Sequence, residues 1–484
     1  MKKEVSRRTV VNSLLWKLLE RFSSQIAQLV IQIILARLLF PKDYALIAIV
    51  LAIVNILVII IQGGYSAVII QKKDLSDIDL SSVFCISMLF SLVIYLAIFL
   101  LSPMVSQIFN NDSITNVLRA LSLTLIFGVY GNILNSLAAK RFQFKAIFVS
   151  AVLSTLLSGT IGIWLAVSGY GVWALVVQYL VNQISAIIIL AFYIKWLPSL
   201  KIRKSSLVYL FSHGTHLFLP SLVYSFYKNS FSLIIGKTYG SSALGYYDRG
   251  RSIPEYVLGG VNDSVQAVVL PTLATHQLDM ERVRSITKKA IRAISFVIFP
   301  MCFGLAALSD NIIHVLLTDR WVGAAFYFQM IALFYVHIPI SHTNQRALMS
   351  IGKTRWVMVL NFIEILIGVI VFAIMYKYGP EMIIIGYVLT SIPNIILYML
   401  FSGKVIGYSM VDQVKDIAKP LFASVIMFIS VLLVSSERGL GMLVLQLLIG
   451  ITVYVIVCLA INVHEIKDLF SILSKWKNNK LKKI

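Results

Sequence analysis

Fourteen apolar segments, each close to the length of a membrane-spanning helix, constrain the fold of this chain more than any other feature. A helix that crosses a bilayer needs roughly 20 mostly apolar residues, and 59% of the 484 residues are hydrophobic whereas 13% are charged. The segments lack the short alternating pattern of outer-membrane barrel strands, so we expect an all-α polytopic membrane protein. This composition excludes a disordered chain and disfavours a soluble enzyme. The segments lie at 12–37, 44–66, 80–101, 114–136, 146–168, 172–194, 208–236, 252–274, 290–309, 323–345, 356–376, 382–402, 419–435 and 442–462.

Most of the positively charged residues lie in the loops between these segments and at the termini. There are 42 Lys and Arg residues against 21 Asp and Glu, a formal net charge of +21. If both termini are cytoplasmic, 29 of the 42 cations lie in inside loops and termini, eight in outside loops and five within spans. The positive-inside rule predicts this bias. A nucleic-acid-binding protein would concentrate its cations on one face or motif, so we expect no nucleic-acid partner.

The two halves of the chain resemble each other at an offset of 200 residues. At this offset Asn55 falls on Glu255 and Gln62 falls on Asn262. Six spans separate the copies, so the copies share one orientation and are related by an axis along the membrane normal. The predicted domains are an N-terminal lobe at 1–200, a C-terminal lobe at 201–405, two accessory spans at 406–463 and a basic cytoplasmic tail at 464–484.

Polar residues of the first span follow one helical face, because they succeed one another at steps of three and four. A charged residue inside a span is costly and by default marks a functional site. The face either lines a cavity or forms a hydrogen-bonded seam between helices, in which Glu20 pairs with Arg21. Its residues are Lys17, Arg21, Gln25, Gln28 and Gln32.

Ionisable residues inside the spans suggest two roles. Cations that face a cavity attract an anionic substrate, and arginine binds phosphate through paired hydrogen bonds. Carboxylates inside the membrane are the groups that H⁺ or Na⁺ coupling requires. The candidate cations are Lys17, Arg21, Arg119, Lys228 and Arg292, and the candidate coupling carboxylates are Glu20, Glu255, Asp263 and Glu364. The predicted polar lining is Gln25, Gln28, Gln32, Asn55, Gln62, Tyr224, Asn262 and Gln266.

Some of these residues also have a purely structural interpretation. Arg292 lies near the inner end of its span and can extend its charge to the membrane surface. Glu255 and Asp263 can each neutralise a cation in the other lobe. The chain has no P-loop, no metal-ligand spacing of Cys or His and no hydrolase nucleophile motif. We therefore expect neither an enzyme nor a bound cofactor or metal.

Five stretches, taken in order, carry a resemblance to a known family. They resemble the bacterial polysaccharide transporter family, the Wzx-type flippases of the multidrug/oligosaccharidyl-lipid/polysaccharide (MOP) exporter superfamily. The similarity is to the branch that includes colanic-acid and teichuronic-acid exporters. The stretches are LARLLFPKDYALIAI at 35–49, GYGVWALV at 169–176, LGYYDRGRSIPE at 244–255, AVVLPTLATHQLD at 267–279 and FPMCFGLAALSDNIIHVLLTDRW at 299–321.

The resemblance implies two six-helix lobes around a central cationic cavity, plus two accessory helices. It implies alternating access that exports lipid-linked oligosaccharide repeat units, carried on undecaprenyl diphosphate, across the cytoplasmic membrane. Such export serves the synthesis of O-antigen, capsule or exopolysaccharide, with a polymerase and glycosyltransferases as partners. The cavity cations of the family correspond to Lys17, Arg21 and Lys228. The basic tail suits the anionic headgroups of membrane lipids.

Two other functions stay open on the sequence alone. A MATE-like multidrug or cation antiporter of the same superfamily favours an acidic cavity, which the excess of intramembrane cations disfavours. A non-transporting scaffold for polysaccharide-assembly enzymes would depend on its loops and basic tail instead, so substitutions within the spans would be silent. A membrane-embedded glycosyltransferase is a weaker alternative, because the chain lacks a conspicuous catalytic loop.

Overall fold

Helices dominate the structure, a computed structural model that describes residues 7–72, 74–199, 201–434 and 437–466. Side chains are described for the same residues except 7–22, 67, 71, 204–217, 220 and 267. Within these ranges no β-strand occurs. The α-helices are α1 (Arg7–Leu38), α2 (Pro41–Gln62), α3 (Tyr65–Gln71), α4 (Asp77–Phe109), α5 (Ser113–Lys140), α6 (Phe144–Val167), α7 (Val172–Ile194), α8 (Lys204–Pro254), α9 (Gly260–Ala274), α10 (Met280–Ala307), α11 (Ser309–Leu317), α12 (Ala324–Phe334), α13 (Ile338–Ser350), α14 (Thr354–Met375), α15 (Pro380–Ile406), α16 (Met410–Leu432) and α17 (Leu440–Ala460).

All fourteen predicted segments fall on these helices, and the all-helical membrane fold is confirmed. Eleven helical stretches in the described chain are long and apolar enough to cross a membrane. The difference from fourteen has three sources. Ser221–Ala274 counts as one stretch, although non-helical dihedrals at Gly240 (φ 86°, ψ 177°) divide it between the two predicted spans. The described apolar part of α1 is only Ser23–Leu38. The first half of α16 carries charges such as Asp416 and Lys419, so α16 is absent from the eleven.

The chain folds into two compact units, of which the first ends at Asp248 and the second begins at Arg249. In the first unit α6 packs against α1 and α7, and α5 packs against α2, α4 and α7. In the second unit α10 packs against α12, α13 and α16, and α15 packs against α12, α13 and α14. The lobe boundaries inferred from the internal repeat stay predictions.

Capping side chains and turn residues define where helices begin. Ser76 accepts a hydrogen bond from the backbone N–H of Asp79 at 3.2 Å, and Asp79 accepts one from the N–H of Ser76 at 3.0 Å. This reciprocal pair satisfies N–H groups that the first turn of α4 leaves without partners. Gly63 and Gly64, with φ of 49° and 77°, form the turn between α2 and α3, where a side chain would be strained.

Small residues allow α6 to approach its neighbours closely. All of its buried positions are Ala, Ser, Thr or Gly. A Cβ atom added to Gly159 would lie 2.2 Å from Cδ1 of Ile31 in α1, and one added to Gly162 would lie 3.1 Å from Cβ of Gln178 in α7. Lipid supplies no hydrophobic force between helices, so close van der Waals packing of this kind stabilises the bundle.

The segment that follows α7 is fastened to the first unit. The ring of Trp196 stacks on Tyr130 at 6.0 Å, and the Tyr130 hydroxyl donates to the Trp196 carbonyl at 2.7 Å. The backbone N–H groups of Ser199 and Arg203 donate to serine hydroxyls at the start of α4, at 3.0 and 2.9 Å. The connection between α7 and α8 is therefore a docked segment of the first unit.

Candidate functional site

The charged end of the predicted stripe in α1 lies among side chains outside the described residues. Lys17, Glu20 and Arg21 fall in this part, so their place in a cationic cavity stays a prediction. Further along α1, Gln25 and Gln28 are partly buried. Gln32 is buried, with 5% of its surface exposed. The assignment of this face to a cavity stays a prediction.

The second predicted cationic position lies in α8. Lys228 is partly buried, and Tyr224, one helical turn earlier, is 56% exposed. Next to them, the rings of Tyr227 and Phe231 meet edge to face with 5.3 Å between their centroids. Lys228 and Tyr224 remain candidates for contact with an anionic substrate.

Arg119 is bound to the neighbouring helix α4. Its Nε donates to Ser102 Oγ at 2.9 Å, and Nε and Nη2 donate to the Phe99 carbonyl at 3.2 and 3.1 Å. Its guanidinium also stacks 4.0 Å from the centroid of the Phe99 ring. Pro103, four residues after Phe99, has no N–H to offer that carbonyl. Arg119 and the Ser102 hydroxyl, which donates to the same carbonyl at 2.9 Å, together replace the missing donor. The contacts give this arginine a structural role.

Arg292 belongs to an ion-pair cluster in the first half of α10. Its Nε lies 2.6 Å from Glu465 Oε1 and its Nη1 lies 4.0 Å from Asp416 Oδ1, while Lys288 lies 3.2 Å from Asp416. The Tyr408 hydroxyl donates to Asp416 at 2.7 Å. Burial, reinforced by Asp416, raises the pKa of Tyr408, so this hydroxyl remains a proton donor. The cluster joins α10 to α16 and to the residues that follow α17.

Glu255 begins a short π-helical turn between α8 and α9. The turn spans Glu255–Gly259 and directly follows Pro254. Glu255 Oε2 lies 2.9 Å from Nε of Arg251, one turn earlier. Glu255 therefore has a cationic partner on its own helix. π-turns are rare in helices and are frequent at functional sites.

The polar residues of α9 meet α13. Asn262 and Gln266 are 2% and 4% exposed. Asn262 Nδ2 lies 3.2 Å from Asp263 Oδ1 and 3.2 Å from His342 Nδ1, and Gln266 Nε2 donates to Thr343 Oγ1 at 3.2 Å. These contacts form a hydrogen-bonded seam inside the second unit.

Glu364 of α14 lies beside polar side chains of α15. Its carboxyl group is within hydrogen-bonding reach of Asn394 and close to Tyr398. The Tyr398 hydroxyl donates to Asn361 Oδ1 at 2.8 Å and accepts from Gln345 Nε2 at 3.3 Å. Glu364 therefore borders a polar cluster built by α13, α14 and α15. No group of three His, Cys, Asp or Glu side chains in the described chain is arranged to hold a metal ion.

A cavity of about 340 Å³ lies inside the first unit, between α2, α5, α6 and α7. Nine of the sixteen described lining residues are apolar or glycine and seven are polar, and none of them carries a charge. The polar residues are five amides and two hydroxyl side chains. They are Gln62, Asn132, Asn135, Asn182, Gln183, Thr124 and Ser150.

Packing and hydrogen bonds hold some of these polar residues in place. Gln183 Nε2 donates to the Thr124 carbonyl at 2.7 Å, and Asn182 Nδ2 donates to Ser158 Oγ at 3.2 Å. A Cβ atom added to Gly128 would lie 3.0 Å from Gln183 Nε2. The glycine thus leaves room for the amide at the cavity wall.

Gln62 is the one predicted lining residue that the structure places at this cavity. Asn55, on the same helix, is exposed and does not line it. Sequence reasoning missed Asn132, Asn182 and Gln183. Their signal was present in the sequence, because amides inside an apolar span carry the same information as the glutamines of α1.

A family model described as polysaccharide biosynthesis protein matches residues 34–326, more than half of the chain. The chain belongs to this family. The match contains all five stretches on which the resemblance rests, so the family prediction is confirmed. One similar protein is the lipopolysaccharide biosynthesis protein WzxC of Escherichia coli K12. It is 22% identical over 406 residues, which cover 81% of this chain and 80% of WzxC.

Two solved structures show which fold this family member has. The lipid II flippase MurJ, in an inward closed conformation, matches with a TM-score of 0.75 and 19% identity over 96% of this chain and 100% of MurJ. An inward-facing multidrug resistance MATE transporter of the MOP superfamily matches with a TM-score of 0.60 and 14% identity, over 81% of this chain and 98% of its own. At these identities the likeness concerns the fold, which is that of the MOP exporters.

Proposed function

We propose that this protein is a transporter, not an enzyme, which flips lipid-linked oligosaccharide repeat units across a bacterial cytoplasmic membrane. The substrate is a glycan carried on undecaprenyl diphosphate and destined for a surface polysaccharide. The family match across residues 34–326 carries the proposal. Eleven apolar helices provide the membrane-embedded body that such transport requires.

The diphosphate of the substrate is attracted by Lys17, Arg21 and Lys228. Cations in a low-dielectric cavity raise the local concentration of an anion and bind its oxygens through charge-assisted hydrogen bonds. The two lobes then rock about the site to expose it first inside and then outside. Arg119 and Arg292 serve this machine as structural residues, because Ser102, Phe99, Asp416 and Glu465 already occupy their guanidinium groups.

An H⁺ or Na⁺ gradient drives the cycle in this proposal. Ionisable residues inside the membrane are the usual sites of such coupling. Among the four candidate carboxylates, Glu364 has the best-described surroundings, since neutral amides and a tyrosine border it. It forms no ion pair with any cation whose side chain the structure describes. Glu255 already pairs with Arg251.

The charge bias of the loops places both termini in the cytoplasm. There the basic tail can contact anionic lipids, and the enzymes that assemble the glycan deliver their product. A polymerase on the far side of the membrane would consume the flipped repeat units.

The test combines a deletion strain with purified protein in vesicles. Lys17→Ala, Arg21→Ala and Lys228→Ala should each lower surface polysaccharide and the flipping of fluorescent lipid-linked oligosaccharide, at normal protein abundance. Lys377→Ala, which removes an exposed cation, should change neither. Normal export by all three cavity variants would contradict the cationic site.

The likeness to MATE transporters makes drug efflux the second function to test. An antiporter for cationic drugs should raise drug resistance when it is expressed in a strain that lacks efflux pumps. We expect no change in resistance, because the proposed cavity is cationic and repels such drugs. Raised resistance without any effect on surface glycan would favour the antiporter.

A further inference from the structure

We propose that the cavity between α2, α5, α6 and α7 binds uncharged sugar residues of the transported glycan. This inference rests on the proposed flippase function and adds to it a second subsite, separate from the one for the diphosphate. The subsite would therefore contribute to the choice of glycan.

The chemistry of the polar lining residues matches sugar hydroxyl groups. Each amide side chain offers both donors and acceptors, as each sugar hydroxyl does, so several pairings are available without charge. A diphosphate would need cations, and a cationic drug would need a carboxylate. The described lining contains neither.

Three of the amides have hydrogen-bonding capacity to spare. The side chains of Gln62, Asn132 and Asn135 form no hydrogen bond with any residue that the structure describes. Polar groups that lose water without gaining a partner cost free energy. A ligand that supplies hydroxyl groups satisfies them, whereas a hydrocarbon chain does not.

The apolar lining residues fit the faces of a sugar ring. They are Val58, Ile61, Leu125, Val129, Ile187 and Leu190, on the same helices as the amides. A pyranose carries C–H groups on its faces and hydroxyls at its edge, so it can contact both kinds of lining residue at once. The volume of about 340 Å³ lies at the lower end of the range of small-molecule sites, roughly 300–1,000 Å³. This size suits a short stretch of glycan.

The cavity is also partly pre-organised. The hydrogen bonds of Asn182 and Gln183 fix two amides before a ligand arrives. Gly131 lets α5 approach α7 closely, since a Cβ there would lie 2.9 Å from Ile187 Cγ1. Groups fixed in advance lose less conformational freedom on binding.

The double variant Gln62→Leu/Asn132→Leu tests the subsite, because leucine has a similar size and cannot form hydrogen bonds. Gln107→Leu, an exposed amide in the last turn of α4, is the matched control. Native mass spectrometry of the purified full chain would measure binding of two probes. One is undecaprenyl diphosphate, and the other is the undecaprenyl-diphosphate-linked repeat unit extracted from the source strain.

We expect the double variant to bind the glycolipid about tenfold more weakly and undecaprenyl diphosphate unchanged, while Gln107→Leu changes neither. If the double variant does not fold, the single variant Asn132→Leu should show a smaller loss that is still selective for the glycolipid. Equal losses for both probes, or none, would overturn the sugar subsite. If wild-type protein binds neither probe and flips no lipid-linked oligosaccharide, the proposed function itself fails.

Discussion

Arg119 and the Ser102 hydroxyl both donate to the Phe99 carbonyl, which Pro103 leaves without its helical donor. Polar backbone groups in the apolar part of a membrane need such partners. The guanidinium provides two donors to this carbonyl and also stacks on the ring of Phe99. The backbone of the adjacent helix α4 therefore explains why the charged residue Arg119 lies within a span.

Arg119→Ala should therefore lower the free energy of unfolding, by about 1–3 kcal/mol. The same substitution should cost less in a Pro103→Ala background, because the restored N–H of residue 103 can then donate to Phe99. Thermal unfolding of the four purified proteins gives the coupling between the two sites. Additive effects would disprove this backbone role, and loss of substrate binding at unchanged stability would restore the cavity role.

Glu364→Gln should uncouple transport from its driving gradient. An amide cannot take up a proton and is a much weaker ligand for Na⁺, so flipping should lose its response to imposed pH or Na⁺ gradients. Vesicle assays with each gradient in turn measure this effect. Glu281→Gln, an exposed position in the first turn of α10, is the control. A variant of Glu364 that still follows the gradient would remove this residue from the coupling site.

The position of polar residues within apolar segments predicted which side chains need hydrogen-bond or ion-pair partners, but not which residues provide those partners. Gln62 does line a cavity. Arg292, in contrast, finds its partner in Glu465, 173 residues later. Such partners depend on which helices become neighbours, and one sequence does not contain that information at the level of single residues.

Helix α8 contains one of the stretches that resemble the family, and this stretch packs closely against neighbouring helices. The stretch at 244–255 contains two glycines in backbone contact with other helices. A Cβ atom on Gly245 would lie 2.2 Å from the carbonyl oxygen of Pro41, and one on Gly250 would lie 2.6 Å from that of Ala324. Backbone atoms cannot rotate away as side chains do, so these positions accept no larger residue.

Gly245→Ala should consequently reduce the amount of folded protein, at a cost of about 1–3 kcal/mol for overpacking. Gly441→Ala in α17 is the matched control, since nothing lies within 4 Å of the added Cβ. Fluorescence-detected gel filtration of fluorescent-protein fusions compares the two. Equal monodisperse peaks would show that α8 can shift away from α2 without loss.

Hydropathy predicted the helical elements well and their internal geometry poorly. The segment 252–274 contains the π-turn Glu255–Gly259, and the segment 323–345 is two helices joined by a 3₁₀ turn at Tyr335–His337. A change of hydrogen-bond register leaves the average polarity of a segment unchanged. Only the packing of neighbouring helices reveals it.

At the scale of the whole molecule, the net charge of +21 tells more about the orientation of the chain in the membrane than about its substrate. With both termini inside, most of the cations fall in inside loops, so the positive-inside rule predicts a topology with cytoplasmic termini. Green fluorescent protein fused to the C-terminus should therefore fluoresce, because it folds only in the cytoplasm.

Alkaline phosphatase inserted after Lys377, in a predicted outside loop, should be active, and the same insertion after Lys353 should be inactive. The opposite pattern would reverse the predicted topology. The two lobes inferred from the internal repeat stay a prediction.

The docked segment after α7 also bears on how the protein is made. Ser199 and Arg203 reach back 118 and 121 residues to Ser81 and Ser82. These bonds can form only after the chain up to Arg203 has left the ribosome. They can then fasten the segment to the start of α4 before the rest of the first unit, up to Asp248, and the second unit are synthesised. Packing of the first unit can therefore begin while the chain is still being made.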